Sequence, residues 1–302
     1  MMQEAGVRLV HPRGVKARAS KAARAFTLIE LLVCLCIIAV LVGLLIPGLS
    51  SARESARSAM CLSNQRQMSI AWQVYADTYR DYAVPYNVST GPLGSGAPST
   101  NTYWWGSFTG PDSMVIPETG FLSRFIDSTL NIRSVYECPS QPWGTYSAQP
   151  DALAANPQPT STYGYNGFYL SPSRVPGYSS EIGFRPWRRT ADIRTPSSLF
   201  VFADAMLPRA PLLRNSALLD PPQLYMRGYG WYQNESPTTS FRHGGNGAAK
   251  RGQGRVITAR ADGSVHSIVA KPEWLVPGFM IGSVGTTNDP HYVPDAAEWP
   301  AN

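Results

Sequence analysis

The strongest hydrophobic pattern in this 302-residue chain is one apolar run near its N-terminus. The run extends from Phe26 to Ile46, and its last sixteen residues, Leu31 to Ile46, contain no charge and no proline. At about 1.5 Å of rise per residue, a helix over the whole run from Phe26 to Ile46 spans roughly 30 Å, the thickness of the hydrocarbon core of a bilayer. The pattern therefore predicts a membrane-spanning helix over residues 26–48.

After this run, the apolar residues recur at near-helical spacing. This spacing predicts an amphipathic second half of the same helix over residues 49–84, ended by Val84-Pro85. Pro47 lacks an amide proton and its ring crowds the carbonyl of Gly43, so we expect a kink or local melt between the halves. The predicted buried face consists of Leu49, Ala52, Ala56, Met60, Ile70, Val74 and Tyr75. The predicted opposite face consists of Arg53, Arg57, Asn64, Gln65 and Arg66.

Residues 85–302 show short apolar stretches between loops rich in Gly, Pro, Ser and Thr, which is typical of a β-rich domain. The candidate strands are Ser198–Ala203, Gln223–Tyr232, Arg255–Ala261 and Ser264–Ala270. The last two flank Asp262-Gly263, a strong signal for a hairpin with a type I′ turn. The predicted fold class is α+β: one long N-terminal helix, with a membrane half and an amphipathic half, packed on a small antiparallel sheet with long loops.

The segments that connect these strands are expected at the surface. Candidate exposed loops are residues 86–102, 141–160 and 208–222, and the tail after Gly285 is expected to extend over the surface.

The charge is concentrated before the apolar run. Residues 1–25 supply +5 of the formal net charge of +6, which leaves the rest of the chain close to neutral. We therefore interpret the bias as a topology signal that places the N-terminus in the cytoplasm and the rest outside, and we expect no nucleic-acid partner. The charged residues of this leader are Glu4, Arg8, Arg13, Lys16, Arg18, Lys21 and Arg24.

The four cysteines form two pairs. Cys34 and Cys36 lie within the apolar run, where we interpret them as small apolar residues. Cys61 and Cys138 lie in the predicted extracytoplasmic part, where a disulfide between them is permitted, with two buried thiols as the alternative. Their separation of 77 residues does not resemble a zinc-binding motif.

Glu30 is the one acid in the apolar run. A carboxylate in a membrane segment costs a few kcal/mol, about 2.5–3.5 at the helix centre, so we expect a partner. Cleavage before Phe26 would create an α-amine at a suitable depth, with which the Glu30 of a neighbouring subunit could pair.

A basic leader followed by Phe26-Thr27-Leu28-Ile29-Glu30 and an apolar helix resembles the class III signal of type IV pilins and type II secretion pseudopilins. The resemblance implies that a prepilin peptidase cleaves between Ala25 and Phe26 and methylates Phe26, and that Glu30 guides assembly. The family usually has glycine where this chain has Ala25. The alternatives are a plain signal anchor or a secretory signal cleaved near Ser50-Ser51-Ala52, and neither explains Glu30.

Segments after the apolar run resemble a pilin-like subfamily abundant in planctomycetes and related bacteria, and the whole resemblance spans residues 24–270. Members carry a His, nine residues and then Asp-Gly. Here eighteen residues separate His243 from Asp262-Gly263, so Gly247–Arg255 resembles an inserted loop. The other matching segments are Cys61–Gln67, Trp72–Asp77, Tyr136–Ser140, Tyr163–Gly167 and Leu199–Asp204.

Metal and catalytic chemistry find limited support in the sequence. His243, His266 and Asp262 could form a metal or acid–base cluster, although hydrogen bonding of His243 to a neighbouring loop or sheet edge is the simpler interpretation. Asp204, Asp262 and Asn246 are conceivable calcium ligands, but their spacing does not resemble that of an EF-hand loop. His243-Gly244-Gly245 does not open a phosphate-binding loop, and there is no Gly-x-Ser-x-Gly. We expect no enzymatic activity and no cofactor.

The sequence thus predicts a structural subunit of a type IV pilus or type II secretion pseudopilus, in the inner membrane with a single pass. Its expected partners are prepilin peptidase and other pilin subunits. The alternative is a membrane-anchored minor pilin or adhesin that binds glycan or DNA through aromatic loops, although burial of these aromatic residues is favoured. The aromatic clusters are Tyr103–Trp105, Trp143, Trp187–Arg189 and Tyr229–Tyr232.

Overall fold

The structure is a computed structural model that describes residues 26–90, 100–109, 115–126, 134–141, 160–171, 187–208, 213, 215–226, 230–244 and 253–293. The chain divides into two compact units, Met1–Pro47 and Gly48–Asn302. The predicted leader, including Ala25, lies outside the described residues.

The long helix predicted from the apolar run is α1, Leu28–Thr78. It supplies residues 28–47 to the first unit and 48–78 to the second. Gly43 and Pro47 both lie inside this helix, so the predicted local melt is absent from the structure.

Helix α1 ends at Thr78 rather than at residue 84. The amide of Asp81 donates to the carbonyl of Ala76 at 2.8 Å, the long bond of a Schellman motif, and Arg80 has a left-handed φ of 58°. Glycine is the usual residue at this position. Because Arg80 occupies this position here, the sequence contains no glycine that would indicate the end of the helix.

The predicted buried face of α1 is mostly wrong. Tyr75 is buried as expected, but Leu49, Met60, Ile70 and Val74 are 43–51% exposed, and Ala52 and Ala56 are exposed as well. The observed buried face consists of Cys61, Gln65, Met68, Ser69, Ala71, Trp72, Tyr75 and Ala76.

Polar contacts to backbone carbonyls explain this different face. Gln65, predicted to face solvent, is fully buried, and its side-chain amide donates to the carbonyl of Ile257 at 2.8 Å. Arg66 and Gln73 donate to the carbonyls of Gly263 and Ala261. The hydrogen bonds of this face satisfy polar groups that would otherwise be costly to bury. A hydrophobicity pattern does not reveal such a face, because it counts polar residues as exposed.

The second unit contains eleven strands among the described residues, and every strand pair is antiparallel. The strands are β1 Asn87–Thr90, β2 Thr100–Tyr103, β3 Gly106–Thr109, β4 Tyr163–Tyr165, β5 Phe200–Asp204, β6 Gln223–Met226, β7 Gly230–Gln233, β8 Thr239–Ser240, β9 Arg255–Arg260, β10 Val265–Val269 and β11 Ile281–Gly282. A short helix α2, Gly167–Leu170, follows β4. The central sheet has the order β10-β9-β5-β4, beside a β1-β2-β3 sheet and the pairs β11-β8 and β6-β7.

One long helix followed by small antiparallel sheets confirms the predicted α+β class. The helix packs on the β9–β10 hairpin through the carbonyl contacts described above. In the register of this hairpin, Val265 pairs with Ala259 and Val269 with Arg255.

The turn of this hairpin is not type I′. Gly263 has a φ of +83°, but Asp262 does not have a positive φ. The amide of Gly263 donates to the carbonyl of Arg260, and the amide of Arg260 donates to the carbonyl of Ser264. This arrangement leaves a three-residue loop with glycine in the left-handed position, the next most common hairpin type.

Four other predictions need correction. The candidate strand Gln223–Tyr232 is the β6–β7 hairpin rather than one strand. The loop predicted over residues 86–102 contains β1 and the start of β2, and the one over 208–222 includes the buried Leu219. In the tail, Tyr292 is fully buried, and its hydroxyl accepts a hydrogen bond from the amide of Val284.

The core of the second unit is aromatic, as the sequence favoured. Trp104 and Trp105 are buried, while Trp187 is 42% exposed and Trp143 lies outside the described residues. Trp72 of α1 donates to the hydroxyl of Tyr165, which donates to the carbonyl of Val84. Bulky side chains thus fill the space between helix and sheet.

Two methionines on α1 test the corrected buried face. Met68 is fully buried and Met60 is 49% exposed. Met68→Ala should lower the free energy of unfolding by about 2–5 kcal/mol, because it leaves a cavity. Met60→Ala should change it by less than about 0.5 kcal/mol. Urea unfolding of the full chain in detergent micelles, followed by tryptophan fluorescence, measures both. A larger loss of unfolding free energy for Met60→Ala than for Met68→Ala would support the buried face that the sequence predicted.

Candidate functional site

The first candidate site is the start of α1, where Thr27 and Glu30 form a reciprocal set of hydrogen bonds. The Thr27 amide and hydroxyl donate to Glu30 Oε2 at 2.9 and 3.0 Å. In return, the Glu30 amide donates to Thr27 Oγ1 at 3.2 Å. This is a capping box, with Thr27 directly before the first helical residue and Glu30 at the third helical position. Glu30 therefore has a partner within its own chain, which the Thr-x-x-Glu spacing could have revealed.

The apolar side chains after this cap face outward. From Phe26 to Ile46 the large hydrophobic side chains are between 47% (Val42) and 80% (Leu28) exposed. Cys34 and Cys36 are exposed as well. Within the described part of the chain, α1 is the one helix long and apolar enough to cross a membrane. Such a surface requires lipid or other apolar helices around it.

The second candidate site is a buried cluster in the second unit, made by residues from four segments. Cys61 lies on α1, and Cys138 lies in the segment that follows Tyr136. Asp204 is the last residue of β5, and His243 lies between β8 and β9. All four are buried, with exposed fractions of 0–2%.

Hydrogen bonds fix the backbone at two of these four residues, Cys138 and His243. The amide of Cys138 donates to the hydroxyl of Thr162. The amides of His243 and Arg255 donate to each other's carbonyls, so these two residues lie side by side. Most of the predicted insertion, residues 247–252, lies outside the described residues.

The four ligating atoms of the cluster lie within 4.8 Å of one another. Cys61 Sγ is 3.1 Å from Cys138 Sγ and 3.3 Å from Asp204 Oδ1. His243 Nε2 is 3.4 Å from Cys138 Sγ and 3.2 Å from Asp204 Oδ2.

A ring of polar groups surrounds this cluster. The Nδ1 atom of His243 is 3.1 Å from Ser140 Oγ, 3.2 Å from Ser58 Oγ and 3.4 Å from Glu54 Oε1. On the opposite side, the Ile257 amide donates to Asp204 Oδ2 at 2.8 Å.

The charges of these buried groups depend on one another. Burial alone would lower the pKa of His243, but the Asp204 charge outweighs it and raises the pKa to about 12. Burial would raise the pKa of Asp204, but the positive charges of His243 and Arg242 hold it below its ordinary value. Burial also opposes a thiolate on Cys138, yet the hydrogen bond from Cys61 lowers its pKa to about 6. The cluster therefore favours charge on His243, Asp204 and Cys138, whereas burial raises the pKa of Cys61 and favours its neutral thiol.

The structure separates residues that the sequence had grouped. Asp262 lies in the exposed hairpin turn, where it accepts hydrogen bonds from the amide and hydroxyl of Ser264. His266 contacts that same hydroxyl at 3.0 Å. His243 is instead paired with Asp204, so the grouping of His243, His266 and Asp262 is wrong. Asp204 and Asp262 also do not share one calcium site, and Asn246 lies outside the described residues.

The structure brings Cys61 and Cys138 together, as the predicted disulfide requires. Both are free thiols, however, so the structure contains the predicted proximity and not the bond. The alternative of two buried thiols describes the structure as it stands.

Sequence reasoning missed the partners of these cysteines. It considered His243 and Asp204 for other sites, and it did not single out Glu54. One signal was present: Asp204 ends the apolar stretch Leu199–Ala203, where a carboxylate is costly unless it is paired.

Comparison with known proteins bears on the first site. Residues 20–46 match the family model for the prokaryotic N-terminal methylation motif, a range that includes Phe26 and Glu30. The chain therefore carries a prepilin-type N-terminal motif followed by a long apolar helix, which fits a type IV pilin-like or pseudopilin-like protein. No curated protein and no solved structure gives a significant match.

The two aspartates once grouped as calcium ligands should respond differently to loss of charge. Asp204→Asn removes the negative charge that faces His243 and Arg242, and should lower the free energy of unfolding by about 3–5 kcal/mol. Asp262→Asn keeps an acceptor for Ser264 at an exposed position and should cost less than about 1 kcal/mol. Urea unfolding of the full chain in micelles compares them. Equal losses would contradict the assignment of Asp204 to a buried charged cluster.

Proposed function

We propose that the chain is a pilin-like subunit that is processed at its N-terminus and assembles through α1 into a type IV pilus or a type II secretion pseudopilus. Prepilin peptidase removes residues 1–25, cleaving between Ala25 and Phe26, and methylates Phe26. The basic leader places the N-terminus in the cytoplasm and the second unit on the other side of the inner membrane.

The observation that carries this proposal is the combination of a prepilin-type motif with an apolar helix whose side chains are exposed. In the membrane, lipid covers these side chains. In a fibre, the same residues of neighbouring subunits cover one another, so one surface serves both states. The regular α-helix over this stretch satisfies its own backbone hydrogen bonds, as either environment requires.

Glu30 has two roles in this proposal. Within the chain it closes the capping box with Thr27. Between chains, its charge pairs with the new α-amine of a neighbouring subunit and thereby sets the register of assembly. Gly43 and Pro47 are where the helix loosens on extraction from the membrane, because proline removes one helical hydrogen bond.

A structural role rather than an enzymatic one is supported by the second unit. The cluster of nucleophilic and basic side chains around Cys138 and His243 is buried from solvent. A substrate would need a path to these atoms.

One observation favours an additional binding role. Trp187 and Tyr82 form a surface aromatic pair with ring centroids 5.2 Å apart, and the guanidinium of Arg189 lies 5.0 Å from the Tyr82 ring. Exposed rings of this kind can stack on sugars. In that case, Trp187→Ala would abolish sugar-competable binding by the full chain without affecting its assembly.

Substitutions at the start of α1 test the assembly role. Glu30→Gln keeps a side chain that can complete the capping box but removes the charge, whereas Thr27→Ala breaks the box and keeps the charge. If charge pairing drives assembly, Glu30→Gln and Glu30→Ala should both lower the recovery of sheared fibres by about tenfold or more. A tenfold loss corresponds to about 1.4 kcal/mol of subunit pairing.

The matched controls are Thr27→Ala and Glu118→Gln, which alters an exposed acid far from α1 in the sequence. Both should form fibres, and all variants should remain in the membrane after carbonate extraction. Normal fibre recovery with Glu30→Gln would remove the charge from the mechanism. Loss of fibres with Thr27→Ala alone would assign Glu30 only to the helix cap.

A further inference from the structure

Four side chains of the second unit each bring one metal-ligating atom to a single buried position. They offer two sulfurs, one imidazole nitrogen and one carboxylate oxygen, all within 4.8 Å of one another. We propose that Cys61, Cys138, Asp204 and His243 form a structural zinc site. This inference is independent of the assembly role, because none of the four residues lies in the N-terminal motif.

The distances within the cluster approach those of a tetrahedral site. Zinc binds sulfur at about 2.3 Å and nitrogen or carboxylate oxygen at about 2.0–2.2 Å, which places neighbouring ligand atoms roughly 3.3–3.8 Å apart. Cys61 Sγ lies 3.3 Å from Asp204 Oδ1, and Cys138 Sγ lies 3.4 Å from His243 Nε2, both within this range. The 3.2 Å contact of His243 Nε2 is with the other carboxylate oxygen, Asp204 Oδ2. The S–S distance of 3.1 Å would have to open by roughly 0.7 Å to reach the tetrahedral value.

The groups around the cluster are those that orient zinc ligands. A zinc-bound histidine usually donates its second N–H to a carboxylate or another acceptor, which fixes its ring. His243 binds through Nε2, so Nδ1 is left to face Glu54 Oε1 and the hydroxyls of Ser58 and Ser140. The Ser140 hydroxyl in turn donates to Glu54 Oε1 at 2.9 Å.

The remaining ligands are held in a similar way. Asp204 Oδ2 accepts from the Ile257 amide, which leaves Oδ1 directed at Cys61 Sγ. The hydroxyl of Tyr163 lies 3.2 Å from the same sulfur. Hydrogen bonds to a thiolate and to a ligating carboxylate tune and orient a metal site.

The charge of a zinc complex suits this interior. Two thiolates, one carboxylate and Zn²⁺ carry a net charge of −1 with neutral His243. The buried guanidinium of Arg242, which interacts electrostatically with Asp204, Cys138 and Cys61, balances it. Arg242 also donates to the carbonyls of Thr162 and Ala205, so its position is fixed.

Burial assigns the metal a structural role. A catalytic zinc keeps an open position for water or substrate, whereas a structural zinc is enclosed by four protein ligands. An open cleft of about 380 Å³ is lined in part by Glu54 and Ser58, the residues that face His243 Nδ1, but none of the four proposed ligands lines it. The bound ion joins α1 to three segments that are distant in sequence.

A disulfide between Cys61 and Cys138 is the competing state of the same sulfurs. It would account for their proximity but not for the approach of both His243 Nε2 and Asp204 Oδ1 to them. Zinc and the disulfide exclude each other, so one experiment separates the two.

The test uses the full chain, purified in detergent without added oxidant or chelator. Zinc content is measured by mass spectrometry of the metal, and disulfide content by intact mass after alkylation. Metal-depleted, reduced protein is then titrated with Co²⁺ alone, whose thiolate charge-transfer and tetrahedral d–d bands report the ligand set. The site variants are Cys138→Ser and His243→Gln, with Cys34→Ser and His266→Gln as matched controls at exposed positions.

We expect about one zinc per chain in the unaltered protein and both controls, and less than about a tenth of that in the site variants. Cobalt should give tetrahedral bands with thiolate charge transfer that weaken in Cys138→Ser. The proposal is overturned if the reduced, unaltered chain binds no cobalt, or if Cys138→Ser gives the same spectrum as the unaltered chain. It is also overturned if the purified protein contains a Cys61–Cys138 disulfide instead of zinc. If the site variants do not fold, the zinc content and the cobalt spectrum of the unaltered chain still test the proposal.

Discussion

A carboxylate with no exposure to solvent, that of Asp204, sets the strongest constraint on the second unit. Moving such a charge out of water costs several kcal/mol unless opposite charges and hydrogen bonds surround it. The chain provides the Ile257 amide, His243 and the nearby guanidinium of Arg242. These partners fix the end of β5 against β9 and against the segment that contains Arg242 and His243, between β8 and β9. Because Cys61 also approaches this carboxylate, the position of α1 on the central sheet depends on the same charge.

The two parts of α1 differ in which side chains they expose and which they bury. Over residues 31–46 the helix is apolar on all sides, and the Thr27–Glu30 cap satisfies two amides at the N-terminal end of the helix. Over residues 61–76 it buries a mixed face, in which Gln65 makes a hydrogen bond to a strand carbonyl and Met68 and Trp72 fill space. One continuous helix thus carries both an exposed apolar surface and a face that packs in the second unit.

The sequence predicted those features that depend on local pattern. The apolar run located α1, and alternation with a central Asp-Gly placed β9 and β10 within about one residue of their observed ends. The helix end was missed because Arg80 takes the left-handed position that glycine usually signals. The buried face of α1 was missed because Gln65 and Ser69 are buried by hydrogen bonding, which a hydrophobic pattern does not register. The buried cluster was missed because Cys61, Cys138, Asp204 and His243 meet only through the tertiary fold.

The proposed function rests on cleavage before Phe26, and the mass and N-terminal sequence of the protein extracted from membranes test this directly. The account predicts a chain that begins at Phe26 and carries one added methyl group, although alanine precedes the cleavage site. A chain that begins at Met1 or Met2 would contradict it. The apolar helix would then be a permanent anchor, and the second unit would be a surface domain whose role is binding rather than assembly.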